Sequence, residues 1–265
     1  MRWLAVTLAL SFALAAQTGP DPQALTQRAK DLLSTDGGRQ QAEALLTQAL
    51  PLFDKQAPKS DSYAEALTLL ALVRHFERTS NKDALASDVE PLARKALEIR
   101  QKNPDTPSAD VALDCELEAM VLEEMGRLED SRAPKAQARA LRDQIIIAMQ
   151  PMSDAAEKVS FMSDPELLPP RLIARSDPEY SFAARVLKLQ SDILAELVIE
   201  ANGAVRRIEI FRPTGFGLDE QAVAALLKWK FIPAQKNGQP VPVEGNVKLR
   251  FRLPGMPPPK IPDER

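Results

Sequence analysis

Apolar residues between positions 22 and 152 recur at the three- and four-residue spacing of amphipathic helices. The clearest set is Ala42, Leu45, Leu46, Ala49, Leu50 and Phe53. The region is rich in Ala, Leu, Gln, Glu and Arg, which are strong helix formers. Turn-forming residues interrupt the pattern at 36–38, 57–60, 79–81, 103–107 and 125–127. The pattern therefore predicts about six helices, paired as hairpins, over residues 22–152.

Short side chains recur at matching offsets in these predicted hairpins. The matching sets are Gly37, Ala42 and Ala49; Ala84, Val89 and Ala96; and Gly126, Ser131 and Ala138. Such residues let neighbouring helices pack closely, as stacked repeats require. The segments 90–100 and 126–131 resemble tetratricopeptide repeats of the longer-period kind found in kinesin light chains. This resemblance implies a groove that binds a peptide or partner protein; a plain helical spacer is the alternative.

Beyond residue 177 the pattern changes to the two-residue alternation of β-strands. Residues 193–200 and 247–253 alternate, and a third apolar run covers 205–211. Asn202-Gly203 between the first two strands is a strong hairpin signal. Helical patterns cover 178–189 and 218–229. The predicted fold class is therefore α+β overall, with an all-α helical-hairpin domain followed by a small α-β-β-α-β domain whose sheet is antiparallel.

Motifs in this second region resemble the C-terminal domain family of TonB, the energy transducer. They are Asp177-Pro-Glu-Tyr180, Gly217-Leu-Asp-Glu-Gln-Ala222, Lys228-Trp-Lys-Phe-Ile-Pro-Ala234 and Asn237-Gly-Gln-Pro-Val241. Ser181 and Ser191 depart from the family pattern, in which proline and glycine are usual. The resemblance implies that residues 178–254 form a domain that captures an extended peptide, such as an outer-membrane receptor segment, by adding it as a strand to a sheet edge.

The last strand is the candidate edge for this capture. The predicted partner-binding residues are Val247, Lys248, Leu249, Arg250, Phe251 and Arg252. The cations Lys248, Arg250 and Arg252 alternate along one face, where they can steer an acidic segment toward the edge. The alternative is that they only protect the edge from unwanted sheet pairing.

The two ends and the middle of the chain carry other signals. Residues 1–16 combine a positive start, an apolar run and small residues, which is the layout of a secretory signal peptide. The apolar run is shorter than the about 20 residues that cross a bilayer, although an uncleaved anchor remains an alternative. Proline-dense residues 153–177 predict a linker, and residues 255–265 a Pro-rich disordered tail.

Charge and reactive residues limit the chemistry. Residues 17–165 hold 18 Lys/Arg and 25 Asp/Glu, whereas residues 166–253 hold 13 and 10, so neither part is basic enough to indicate nucleic-acid binding. Cys115 is the only cysteine and His75 the only histidine. We expect Cys115 to be buried in a helix and His75 to cap a helix or be solvated. We expect no catalytic residues, no metal site and no cofactor.

The sequence thus predicts a non-enzymatic periplasmic protein of the cell envelope. In this hypothesis the TonB-like domain captures one protein partner by strand addition and the helical repeats bind another. The alternative is a TonB-type energy transducer for transport through outer-membrane receptors, with residues 1–16 as an inner-membrane anchor. Membrane association is expected only through those residues.

Overall fold

The computed structural model describes residues 20–35, 37–78, 80–151, 159–161 and 165–256. The helices of its N-terminal part are α1 (Pro22–Leu33), α2 (Arg39–Gln56), α3 (Asp61–Arg78), α4 (Lys82–Ala84), α5 (Glu90–Gln101), α6 (Ser108–Glu124) and α7 (Leu128–Met149). A π-helical turn (Leu85–Val89) joins α4 to α5. The predicted breaks separate the six longer helices, because the residues there favour turns over continued helix, whereas the end of α4 at Ala84 was not predicted. Consecutive long helices pack against each other, and α3 is buried along most of its length.

Six of the nine short residues at repeating offsets lie where helices pack, whereas Gly37 and Gly126 are exposed and Ala84 is half-buried. Ala42, Ala49, Val89 and Ala96 have no exposed surface, and Ser131 and Ala138 are almost as buried. Larger residues at these positions would force the helices apart, since protein interiors are close-packed. The packing therefore explains the periodicity, while the tetratricopeptide character of the hairpins stays a prediction.

The C-terminal part is a mixture of short helices and strands. Its elements are β1 (Ser160–Phe161), β2 (Leu167–Leu168), β3 (Arg171–Ala174), α8 (Phe182–Val186), β4 (Ser191–Ile199), β5 (Val205–Ile210), α9 (Leu218–Leu226), β6 (Lys230–Ile232), β7 (Ala234–Lys236), β8 (Gln239–Val241) and β9 (Val243–Phe251). The main sheet has the order β1-β9-β4-β5, in which β4 runs antiparallel to both β5 and β9. The predicted α+β fold class, with the order α8, β4, β5, α9 and β9, is confirmed.

Two details of this part differ from the sequence prediction. The leading helix expected over 178–189 is only Phe182–Val186, because Ser181 caps its start and Lys188 has a positive φ just after its end. The strands β6, β7 and β8 were not predicted. They are too short for period-two alternation to show, since each has three residues.

Both Asn-Gly turns form. Gly203 is required to be glycine both by the conformation of its turn and by the close approach of the Phe231 backbone. A Cβ at Gly203 would lie 1.9 Å from the carbonyl oxygen of Phe231, and its φ is +80°. Phe231 also donates its backbone N–H to the Gly203 carbonyl at 2.9 Å. Only glycine allows the β4–β5 turn to approach β6 this closely. Asn237 and Gly238, with φ of 53° and 76°, form the β7–β8 hairpin.

Part of the range expected to be a linker, 153–177, pairs with the C-terminal domain. Within it β1 runs parallel to β9, β2 antiparallel to β7, and β3 antiparallel to β6. The described residues of this range therefore belong structurally to the sheets that follow. The expected signal peptide (1–16) and all but the first two residues of the expected tail (255–265) lie outside the described residues. Among the described helices, none is both long and apolar enough to span a membrane.

A buried ionic cluster joins the helical part to the C-terminal part. Arg142 of α7 donates two hydrogen bonds to the Glu116 carboxylate of α6, at 3.0 and 2.8 Å, and a third to Glu220 of α9 at 2.8 Å. Glu116 also accepts the backbone N–H of Phe216 at 2.8 Å. Burial raises the pKa of Glu116. Burial opposes the charge of Arg142, yet its hydrogen bonds with Glu116 raise its pKa. We call Glu116, Arg142, Glu220 and the Phe216 N–H the junction cluster.

Apolar packing continues across the same boundary. One hydrophobic cluster includes residues of α1 to α3 and α5 to α7 together with residues of α8, α9 and the main sheet. Helix α8 packs on α3, and α9 packs on α7. The two parts are therefore held together by a shared core as well as by the junction cluster.

Candidate partner-binding edge

Strand β9 is anchored along its whole length to the centre of the sheet. All nine of its residues are in register with β4, from Val243 opposite Ile199 to Phe251 opposite Ser191. Leu249 and Phe251 are each 1% exposed, and the Phe251 ring packs edge-on against Tyr180 at 5.5 Å. Lys248 and Arg250, which alternate with them along the strand, are exposed. The alternation predicted from the sequence therefore forms, and it fixes which face of β9 meets solvent.

The outer side of β9 is only partly occupied by the chain's own residues. Strand β1 pairs with it at Val243 and Glu244, and Ser160 donates its N–H to the Pro242 carbonyl at 2.9 Å. Because backbone groups alternate from side to side along a strand, even-numbered residues of this segment point outward. Within the part of the chain that the structure describes, no strand pairs with this side beyond Glu244. We call the outward backbone groups at Asn246, Lys248 and Arg250 the β9 rim.

The structure gives the six predicted site residues different positions. Lys248 and Arg250 place both their side chains and their outward backbone groups at the rim. Val247, Leu249 and Phe251 turn their backbone groups toward β4 and their side chains toward the core, so a captured strand could not bond to them. Arg252 follows the end of the strand.

One carboxylate next to β9, which sequence reasoning missed, draws in two of the three predicted cations. Arg252 forms an ion pair with Asp192, and Lys248 Nζ lies 3.9 Å from the same carboxylate. Arg252 also donates to the Ser191 carbonyl at 2.9 Å. Arg250 is exposed and lies opposite Asp192 in the β4–β9 register. The cationic row is therefore partly neutralised at Lys248 and Arg252, while Arg250 is exposed.

The exposed face of the sheet has an acidic half beside the cationic one. Glu196 of β4 lies directly opposite Glu209 of β5, and Glu244 is close enough to interact with Glu196. Burial raises the pKa of Glu196, and the negative charges of Glu244 and Glu209 raise it further. The face thus changes from negative to positive along β9, in the direction from Glu244 to Arg252.

Cys115, His75 and Trp229, whose side chains could in principle serve chemistry or binding, are all buried in the fold. Cys115 is fully buried, as expected, and burial raises the pKa of its thiol to about 12. His75 is 5% exposed, with Nε2 2.7 Å from Glu124, so the expectation of a solvated histidine is wrong because α3 is central to the helical packing. Trp229 is also buried, and its indole N–H donates to the Ser176 carbonyl at 2.8 Å. Among the described residues, no group of three His, Cys, Asp or Glu side chains is placed to hold a metal.

Comparison with known proteins agrees with the resemblance seen in the sequence. Residues 176–253 match the family described as Gram-negative bacterial TonB protein C-terminal. A curated relative, Protein TonB of Vibrio cholerae serotype O1, is 28% identical over 109 residues, which are 40% of this chain and 45% of the relative. The chain therefore spans less than half the length of that relative.

Two solved structures show weak likeness to the chain. The solution NMR structure of Pseudomonas aeruginosa TonB CTD has a TM-score of 0.31 and 16% identity, covering 38% of this chain and 100% of that one. The crystal structure of BtubC (BKLC) from P. vanneervenii has a TM-score of 0.27 and 17% identity, covering 56% of this chain and 74% of that one. Both scores are low, and no conclusion about this chain follows from them.

The family match defines the class of the C-terminal domain. Residues 176–253 form a TonB C-terminal domain, and the match supports a TonB-like role in protein–protein interaction. TonB-family proteins are energy transducers and not enzymes, in agreement with the prediction of a non-enzymatic chain.

Proposed function

We propose that this chain is an adaptor of the periplasm that captures an extended peptide of a partner protein along the β9 rim. The observation that carries the proposal is the outward-facing backbone of β9 beyond Glu244, on a strand whose other side is fully paired with β4. A peptide added there would gain main-chain hydrogen bonds at Asn246, Lys248 and Arg250. The rim groups recur every second residue, about 7 Å apart, which matches the repeat of an extended chain.

The charges beside the rim favour one kind of peptide. Arg250 is exposed, whereas Lys248 and Arg252 share Asp192. An acidic side chain of the peptide would therefore lie near Arg250, and a basic one near the acidic half at Glu196 and Glu244. Such complementarity sets direction and selectivity more than affinity.

The helical domain is proposed to bind a second partner protein. It is supported by the buried short residues at repeating offsets, which give stacked hairpins of the kind that form concave binding surfaces. The junction cluster would hold that surface in a fixed position relative to the β9 rim.

The test is a pull-down from envelope extract with three forms of the chain. Arg250→Pro removes one outward N–H while the inward bonds to β4 remain, so we expect capture of the partner to be lost. Arg250→Ala keeps that N–H and is the matched control, so capture should fall only as far as the charge contributes. Circular dichroism and urea unfolding check that all three forms are folded. Undiminished capture by Arg250→Pro would show that the β9 rim is not the binding edge.

The match to Protein TonB favours a second candidate, an energy transducer anchored by residues 1–16. Mass spectrometry of the native N-terminus distinguishes the two. A mature chain that starts near residue 16 or 17 supports the periplasmic adaptor and excludes the anchored transducer. An intact N-terminus in the membrane fraction supports the transducer.

A further inference from the structure

A groove of about 830 Å³ lies between the helical part and the opposite edge of the main sheet. One wall is formed by α6 and α7, and the other by the end of β5 and by residues 213–216. Ile146, Ile147, Ile208 and Ile210 give it apolar walls, and Ile147 is 71% exposed. Ile147 is therefore an apolar side chain on the groove that an occupant could cover.

The edge of β5 is already bonded to a side chain that imitates a peptide. Gln150, just after α7, donates from Nε2 to the Ile208 carbonyl at 2.9 Å and accepts the Ile208 N–H at Oε1 at 2.6 Å. A primary amide carries the same donor and acceptor as a backbone peptide group. Gln150 therefore makes both bonds that one residue of an added strand would make.

The next outward position on β5 is Ile210. Phe211 donates its N–H to Leu194 of β4, so the alternation turns the backbone groups of Ile210 and Ile208 away from β4. Ile210 lies on the groove wall, two residues from the position that Gln150 occupies. An extended chain in the groove would meet peptide-bonding groups on one side and the exposed Ile147 on the other.

We propose that the β5 edge is a second strand-accepting site, and that Gln150 is its internal placeholder. The occupant is an extended segment of another protein with an apolar side chain that packs on Ile147. The Gln150 amide shows that the edge accepts a peptide-like donor and acceptor. The apolar wall of the groove favours an apolar side chain on the added segment. This site is separate from the β9 rim, since β5 and β9 are on opposite sides of β4.

The test uses the full chain and a dye-labelled, end-blocked seven-residue peptide of alternating threonine and valine. Gln150→Ala removes the competing amide, so the peptide should bind about tenfold more tightly than to the unaltered chain, the factor expected for two modest hydrogen bonds. Gln144→Ala, which alters an exposed glutamine of α7, is the control and should change nothing. Fluorescence anisotropy gives the affinities, and hydrogen exchange should show protection at 208–210.

Further variants keep the outcome decisive. Gln150→Met has nearly the same length but lacks both the amide donor and the amide acceptor, so it should also tighten peptide binding if Gln150→Ala fails to fold. The gain should persist in an Arg250→Pro background, because that change affects only the β9 rim. Unchanged or undetectable binding to the Gln150 variants overturns the proposal. Protection confined to 246–252 would place the peptide at the β9 rim and so overturn the proposal. A dimer of the Gln150→Ala chain would show that the occupant is a second copy of this chain and not another protein, which overturns it as well.

Discussion

At the scale of single residues, the backbone of Gly203 has a double constraint. Its positive φ suits the β4–β5 turn, and its missing side chain lets the Phe231 carbonyl approach. Asn-Gly in the sequence predicts only the first constraint. Gly238 has a similar φ of +76°, but a Cβ there would meet nothing within 4 Å. A comparison of substitutions at the two glycines therefore distinguishes the energetic cost of a left-handed backbone from the cost of a steric clash with Phe231.

We expect Gly203→Ala to lower the free energy of unfolding by about 2–4 kcal/mol, because a left-handed backbone and a displaced carbonyl both cost energy. Gly238→Ala should lower it by only about 1 kcal/mol, the cost of the left-handed backbone alone. Urea unfolding followed by circular dichroism measures both. Equal losses for the two variants would show that the approach of Phe231 places no constraint on residue 203.

At the scale of elements, the main sheet has a well-packed buried face and, on its exposed face, an unfavourable pair of glutamates. The strands concerned are β4, β5 and β9. Their buried positions alternate as predicted, yet Glu196 and Glu209 face each other across β4 and β5. Because the pKa of Glu196 is raised, the folded chain binds that proton more tightly than the unfolded chain. This carboxyl therefore makes stability fall as pH rises from the unfolded pKa, about 4.3, through the folded one.

Replacing one member of this pair should remove part of that fall. We expect Glu209→Lys to stabilise the chain by about 0.5 kcal/mol at pH 7 and to lower the pKa of Glu196 toward its ordinary value. Glu179→Lys, the same charge change at an exposed position outside the sheet, should leave both quantities nearly unchanged. Urea unfolding at pH 4 to 7 and an NMR titration of Glu196 measure them. No change in the Glu196 pKa would contradict the interpretation of the pair.

At the scale of the whole molecule, the two parts meet through the junction cluster and a common core. Arg142 is 7% exposed, and its guanidinium lies between two carboxylates from different parts of the chain. Removing one partner of a buried ion pair costs far more than removing an exposed one, because the remaining charge stays desolvated. The cluster should therefore make the two parts unfold together.

We expect Glu116→Gln to lower the free energy of unfolding by about 3 kcal/mol. Calorimetry should show the single transition of the unaltered chain broaden or split into two, as the C-terminal part separates from the helices. Glu123→Gln on the same helix removes a carboxylate whose partner Lys135 is exposed, so its cost should be at most about 1 kcal/mol. A loss for Glu116→Gln no larger than this would mean that the shared core alone couples the parts.

The sequence by itself determined the helix breaks, the strand alternation, both Asn-Gly turns and the TonB-like motifs, because each depends on residues close together in the chain. Only the tertiary structure decided what covers each sheet edge. Gln150 reaches Ile208 across 58 residues, Glu116 reaches Phe216 across 100, and β1 pairs with β9 from the range expected to be a linker. Local pattern holds no signal for such contacts, since one glutamine or glutamate in a sequence looks like any other until the chain path brings a backbone group to it.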